Sequence, residues 1–183
     1  MKVDVFNLDT QRWKNLKVSS EFKNMVSHTT NLYDDKFYIY GNASSGGVGL
    51  SILDPTTEEE HAGRITGTHT KVSLEEIPFP SVQLHTATLY EDTLYIFGGS
   101  ANGTRINTLS SLNLKTLSYQ PQVPIKGGTP PGVRSFHSAC LVPNIQVHTD
   151  DPTTIGPAIV IFGGFFGLES WSASYKGSFA PLL

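Results

Sequence analysis

The chain has 183 residues, of which 38% are hydrophobic and 10% aromatic, which is too apolar for a disordered chain and suits one folded domain of ordinary size. Its formal net charge of −3 gives no basic field for a phosphate backbone or for anionic lipid, so neither nucleic acid nor a membrane is an expected partner. A single cysteine excludes an internal disulfide, and the N-terminus lacks the apolar core of a signal peptide, so we expect a cytoplasmic protein.

The first predicted element is a pair of strands within residues 3–16. Polar and apolar residues alternate there, Asp9-Thr10 marks a turn, and Trp13 opens the second strand. The same plan recurs at 50–57 and at 112–119. An Asp followed by Thr or Pro, as in the first two copies, suits a type I turn.

Three other segments begin at a histidine and end at a glycine, at residues 28–41, 85–99 and 137–164. Short runs of Thr, Tyr, Ile, Phe and Val, separated by acidic residues such as Asp34-Asp35, predict a hairpin in each. The second strand of each hairpin is apolar on both faces, which is typical of a strand buried from both sides. Because Gly, Pro, Ser and Thr interrupt the chain every few residues and no helical period appears, we predict an all-β protein.

The combined unit is strand, turn, strand, Gly-Gly, loop, strand, turn, strand, and its histidines are 57 and 52 residues apart. This resembles the kelch repeat, which has a period of about 50 residues and forms one four-stranded blade of a β-propeller. The resemblance implies about three and a half blades in one segment, residues 1–183, of a partial or unusually small propeller. Their expected ranges are a blade end at 1–16 and blades at about 25–80, 81–125 and 134–183.

Two insertions are expected in this pattern. One, at 58–69, moves the fourth strand of the first full blade to about 70–77. The other, at 145–157, lies in the third hairpin, where the step from histidine to glycine grows from 13 to 26 residues. The last predicted strand covers 170–175.

The repeated histidines and glycines resemble a metal triad and phosphate loops, but we interpret them as structural. Each histidine occupies the same position in a separate blade, and no helix follows the glycines to bind phosphate. The glycines are instead expected at tight strand exits that need positive φ or close backbone approach. Structural roles are therefore assigned to His28, Gly41, His85, Gly98, Gly99, His137, Gly163 and Gly164.

A binding surface is expected on the loops that follow the second strand and on the connections between blades, because these share one face of a meander and loops commonly carry recognition. The loops lie near 42–49, 100–105 and 165–169, and they offer amides, hydroxyls, a guanidinium, aromatic rings and a carboxylate. The candidates for binding a protein are Asn42, Ser44, Ser45, Asn102, Arg105, Arg134, Phe165, Phe166 and Glu169.

The resemblance implies a non-catalytic adaptor or scaffold that binds a protein or peptide, with no catalytic residue, metal or cofactor. Two alternatives remain open. Kelch-like propellers include enzymes that act on sugar-like molecules, such as galactose oxidases and sialate epimerases, although no nucleophile, base and acid set stands out here. The chain could also be an architectural subunit that completes a larger propeller or assembly.

Overall fold

The computed structural model describes residues 2–18, 25–43, 48–54, 66–72, 81–125, 128–146, 155–165 and 178–181. These ranges contain strands and turns and no helix, which confirms the all-β prediction. Accordingly, no helix able to cross a membrane occurs in the described part of the chain. The chain divides into two compact units, residues 1–78 and 79–183.

The first unit contains one six-stranded sheet in the order β1-β2-β6-β5-β4-β3. Its strands are β1 (Lys2–Asn7), β2 (Arg12–Val18), β3 (Met25–Tyr33), β4 (Lys36–Ala43), β5 (Val48–Asp54) and β6 (Thr66–Val72). Strands β3 to β6 form an antiparallel meander, as one kelch blade requires. The β1–β2 hairpin joins this meander through a short parallel pairing of β2 with β6.

Local sequence explains the tightest turn of the first unit. Asp34 and Asp35 connect β3 to β4, and both have positive φ, 48° and 56°. Two consecutive left-handed residues are the signature of a type I′ turn, whose twist matches that of the flanking strands. Short polar side chains tolerate this conformation, so the acidic pair closes the hairpin where the sequence predicts it.

The fourth strand of the first meander begins earlier than the sequence predicts. It was expected near 70–77, whereas β6 covers Thr66–Val72 and pairs with β5 from Asp54↔Thr68 to Leu50↔Val72. The first two residues of β6, Thr66 and Gly67, pair with β2 instead of β5, so β6 starts where β2 adjoins it, and alternation alone gave no marker for this start. Residues 73–77 of the prediction lie outside the described ranges.

The described residues of the second unit form three small sheets, ordered β13-β12-β9-β8, β11-β10-β7 and β14-β15-β16. Its strands are β7 (Val82–Gln83), β8 (Thr86–Tyr90), β9 (Thr93–Phe97), β10 (Ser100–Ala101), β11 (Thr104–Arg105), β12 (Leu109–Asn113), β13 (Tyr119–Gln120), β14 (Ser135–Gln146), β15 (Ile155–Phe165) and β16 (Ser178–Pro181). Strands β8, β9, β12 and β13 form a four-stranded antiparallel blade. Strand β16 pairs with β15, while the strand predicted at 170–175 lies outside the described residues.

The extra residues of the third hairpin lengthen its strands. The sequence places residues 145–157 in a turn, but Ile145 pairs with Gly156 and Gln146 with Ile155. A register shift between Val142 and Ile145 absorbs one residue, as a β-bulge does. The ends of this insertion are therefore strand, and only residues 147–154 between them lie outside the described ranges.

The core of the second unit lies between the hairpins β8–β9 and β14–β15. Phe97 of β9 packs with Ile159 and Ile161 of β15, and all three side chains are at most 3% exposed. Burial of this apolar surface provides the main favourable free energy for joining the two repeats. In the first unit, Ile39 and Leu53 form the equivalent cluster inside their own sheet.

Candidate functional site

The second and third repeats meet at His137, the first residue of the repeated motif in β14. Its Nε2 lies 2.9 Å from Thr86 Oγ1 and shares a hydrogen bond with it. Its ring packs edge-on against Phe97, with ring centroids 5.4 Å apart. Burial, followed by the neighbouring charges of Arg134 and His85, lowers the pKa of His137 to about 4, against an opposing effect of a hydrogen bond with the Phe97 backbone. At neutral pH the imidazole is therefore uncharged and serves packing and hydrogen bonding.

His85, at the same position of the second repeat, is also buried. It is 7% exposed, and burial lowers its pKa to about 4 against a smaller opposing effect of a hydrogen bond with the Val82 backbone. His28, in contrast, occupies an exposed position of β3. Among the described residues no group of three or more His, Cys, Asp or Glu side chains could hold a metal ion.

The glycine pair after β9 shows why these positions exclude side chains. Gly98 and Gly99 have φ of 62° and 94°, a region that L side chains rarely adopt. A Cβ on Gly99 would lie 2.6 Å from Gln83 O, and the Gly99 N–H donates to Arg134 O at 2.7 Å. The amide is thus used for contact between repeats. Gly163 and Gly164 have nearly the same φ values, 70° and 93°, whereas Gly41 instead makes a close approach, its Cβ position lying 2.8 Å from the His28 Cα.

Two of the predicted binding residues are buried. Arg134 is 6% exposed; its Nη1 donates to Gly163 O and its Nε to Gly132 O, each at 3.1 Å. Burial also lowers the pKa of Arg134. Asn42, near the end of β4, is 5% exposed. Because both side chains lie inside the protein, neither forms part of an exposed binding surface.

Arg105, Phe165 and Ser135 come together in the second unit. The guanidinium carbon of Arg105 lies 4.2 Å from the Phe165 ring centroid, and Arg105 Nε donates to Ser135 Oγ at 3.1 Å. Ser135 and Phe165 are directly paired at the start of β14 and the end of β15. Arg105 and Phe165 were predicted as binding residues. Ser135, which bonds to Arg105 and pairs with Phe165, was not singled out from the sequence. We call these three residues the Arg105 cluster.

A tight turn positions Arg105. Asn102 and Gly103 connect β10 to β11 with φ of 49° and 79°, the I′ type that Asn-Gly favours. Arg105 pairs with Ser100 across the hairpin, so the turn fixes the backbone position of Arg105. Asn102 itself is exposed at the tip. The other candidates, Ser44, Ser45, Phe166 and Glu169, lie outside the described residues.

The sequence did not reveal a recurring backbone conformation beside the histidines. Ser27, Leu84 and Phe136 each precede a repeated histidine, and their φ values are 51°, 61° and 59°. None is a residue type that favours positive φ, so the residue types did not predict this conformation. The only available signal was their shared position in the repeat. Phe136 N–H also donates to Leu84 O at 3.2 Å, which links two of these positions.

Comparison with known proteins agrees with the repeat geometry. A sequence model described as the KLHDC2/KLHL20/DRC7 Kelch-repeats domain matches residues 1–165. The chain belongs to the kelch-repeat family. The two four-stranded meanders, β3 to β6 and β8-β9-β12-β13, have the strand arrangement of kelch blades, and the sequence resemblance is confirmed.

Two curated relatives and one solved structure extend this comparison. The chain is 28% identical over 153 residues to human Host cell factor 2, covering 76% of this chain and 17% of that protein. It is 29% identical over 135 residues to a probable serine/threonine-protein kinase of Dictyostelium discoideum, covering 71% and 9%. The solved structure of YjhT superposes with a TM-score of 0.59 at 15% identity, covering 98% of this chain and 58% of that one. This likeness shows the fold, and the chain spans less than a fifth of either relative's length.

Proposed function

We propose that this kelch segment is a non-catalytic interaction module that binds a protein or peptide partner through the Arg105 cluster and the adjoining Asn102-Gly103 turn. Membership of the kelch-repeat family supports a role in protein binding. The observation that carries the proposal is the state of Arg105, a cation that is held in place without an acidic partner among the described residues.

The guanidinium is positioned by two contacts that leave most of its donors available. Nε donates to Ser135 Oγ, and the guanidinium carbon lies over the Phe165 ring. An arginine has five N–H donors, so four remain for a ligand. Because the ring contact and the hydrogen bond already fix the side chain, a partner loses little conformational entropy in engaging it.

The chemistry of these donors predicts an acidic partner. A planar guanidinium pairs with a carboxylate through two parallel hydrogen bonds, and such charge-assisted bonds are stronger than neutral ones. Arginine and aromatic residues also dominate the binding energy of many protein interfaces. We therefore infer a peptide segment with an Asp, Glu or terminal carboxylate at Arg105.

The test is selection of a phage-displayed library of random dodecapeptides on the whole chain, followed by fluorescence polarisation with the enriched peptides. We expect peptides that share an acidic residue, and a loss of affinity of about tenfold or more for Arg105→Ala, since a hydrogen bond to a charged group contributes about 1.5–3 kcal/mol. Lys115→Ala removes an exposed cation from the turn between β12 and β13 and should leave the affinity unchanged. Equal losses in both variants would show only a nonspecific charge effect and would contradict the proposal.

A further inference from the structure

The contact between the second and third repeats has a definite pattern of residues. Phe97, which precedes a double glycine, is 3% exposed and lies edge-on to His137. Thr86, which pairs with Phe97 across β8–β9, shares a hydrogen bond with Nε2 of the same histidine. One residue before that histidine, Phe136 N–H donates to Leu84 O. One repeat thus provides a Phe–Thr pair and a carbonyl, and the next repeat covers them with a histidine and an N–H.

The third repeat carries the first half of this pattern on an exposed face. Phe162 also precedes a double glycine, and it pairs with Ser138, which follows the repeated histidine as Thr86 does. Phe162 is 56% exposed, and Ser138 is exposed as well. Phe136, two residues before Ser138 in β14, is 67% exposed. We call this surface, formed by Phe136, Ser138 and Phe162, the β14–β15 face.

The first repeat carries the second half of the pattern. His28 is exposed in β3, whereas the equivalent His137 is 7% exposed between two repeats. Ser27, one residue before His28, has a φ of 51°, close to the 59° of Phe136. The backbone that presents an N–H beside the histidine in the third repeat is therefore present in the first repeat too.

The surroundings of His28 show which part of β3 is exposed. Leu32, four residues later and on the same side of the strand, is 58% exposed. Ile39, in contrast, is 8% exposed and packs with Val3 and Met25. The exposed surface is therefore the side of β3 that carries His28 and Leu32, which we call the β3 face.

We propose that two copies of this chain associate head to tail, with the β3 face of one copy covering the β14–β15 face of the other. His28 of one copy packs against Phe162 of the other and shares a hydrogen bond with Ser138 Oγ, while Ser27 N–H donates to Phe136 O. Each of these contacts repeats one that the second and third repeats already make with each other.

A second copy is the expected occupant because one chain carries both halves of the pattern on two different exposed faces. Contact between unlike faces is heterologous, so one such contact leaves the second face of each copy available. Burial of the Phe162 ring provides apolar free energy for the association. The inference uses no residue of the Arg105 cluster and goes beyond the proposed function.

The experiment is sedimentation velocity of the whole chain over a series of concentrations, which should show reversible self-association of the wild type. His28→Glu and Phe162→Glu each place an unpaired carboxylate in the contact, so each should weaken the association by about tenfold or more. Trp13→Glu is the matched control, since Trp13 is a 71% exposed aromatic residue of β2, outside both faces. It should leave the association unchanged.

A mixture of the two variants distinguishes a head-to-tail contact from a symmetric one. Equimolar His28→Glu and Phe162→Glu still contain one unaltered pair of faces, Phe162 of the first variant and His28 of the second. We expect this mixture to form a 1:1 dimer with close to the wild-type affinity, although neither variant dimerises alone. Urea unfolding checks that each variant is folded, and Leu32→Glu takes the place of His28→Glu if that variant is unfolded.

Several results would overturn the inference. One is a wild-type chain that stays monomeric at every concentration. Another is association that Phe162→Glu abolishes and the β3 variants leave intact, because the β14–β15 face would then contact itself or a different surface. A mixture of folded variants without a heterodimer also contradicts the head-to-tail contact. Equal weakening by Trp13→Glu would show general apolar association and no specific pairing of these faces.

Discussion

The hairpins β1–β2 and β12–β13 have the same turn in different surroundings. In each, an Asn side chain accepts hydrogen bonds from the N–H and the hydroxyl of a Thr three residues later. The distances are 2.7 and 2.9 Å at Asn7 and 2.8 and 3.0 Å at Asn113. The residue after each Thr, Gln11 or Leu117, has positive φ, 53° or 57°. The match shows that this turn is encoded by a few neighbouring residues.

Burial differs sharply between the two hairpins. Leu114 is 3% exposed and its N–H donates to Asp92 O, whereas the equivalent Leu8 is 82% exposed. Likewise Leu112 is fully buried and Phe6 is 41% exposed. The cause is the neighbouring strand, because β12 pairs with β9 on its far side while β1 is an edge strand of its sheet. Local sequence sets the turn, and the adjoining strand sets the burial.

The largest effect expected from this comparison is on unfolding free energy at the two leucines. Leu114→Ala should cost about 3 kcal/mol, since it removes buried methyl groups and leaves a cavity. Leu8→Ala should change the stability by less than about 0.5 kcal/mol, as for most exposed positions. Urea unfolding followed by far-ultraviolet circular dichroism measures both. Similar losses would mean that Leu8 is covered in solution.

The second effect concerns pH and the buried histidines of the second unit. The folded-state pKa values of His85 and His137 are about 4, below the ordinary value of 6.5, so the unfolded chain binds more protons between these limits. Stability should therefore rise as pH increases from about 4 to 6.5 and be lost as pH falls through that window, by about 1 kcal/mol per pH unit for each histidine. The measurement is the urea midpoint as a function of pH.

Substituting His85 and His137 tests whether these residues cause the pH dependence of stability. His137→Gln and His85→Gln should each lower stability at pH 7 and flatten the slope, and the double variant should flatten it most. A slope that stays the same in the double variant would show that carboxylates cause it. The two rings influence each other electrostatically, so the single effects need not add.

The repeat order, the hairpins and the Asn102-Gly103 turn could be predicted because each depends on residues close in sequence. The burial of Arg134 could not, since its guanidinium binds Gly163 O, 29 residues away. The positive φ of Phe136 is imposed by hydrogen bonds with another repeat, so it could not be predicted from the residue type at this position. For the candidate site, Arg105 and Phe165 were predicted individually. Their direct contact depends on the pairing of Ser135 with Phe165 across β14 and β15, which only the structure shows.

The smallest expected effect tests whether the shared turn is locally encoded. Asn7→Ala and Asn113→Ala should each cost about 1 kcal/mol, because each removes an acceptor from backbone and hydroxyl donors in an exposed turn. Asn→Asp at either site keeps the acceptor oxygen and should retain most of the stability. Hydrogen exchange of the Thr10 and Thr116 amides reports the two turns separately, and both should exchange faster in the alanine variants. If only Thr116 responded, the turn in β12–β13 would depend on its covering strand, and the sequence motif alone would not be enough to form it.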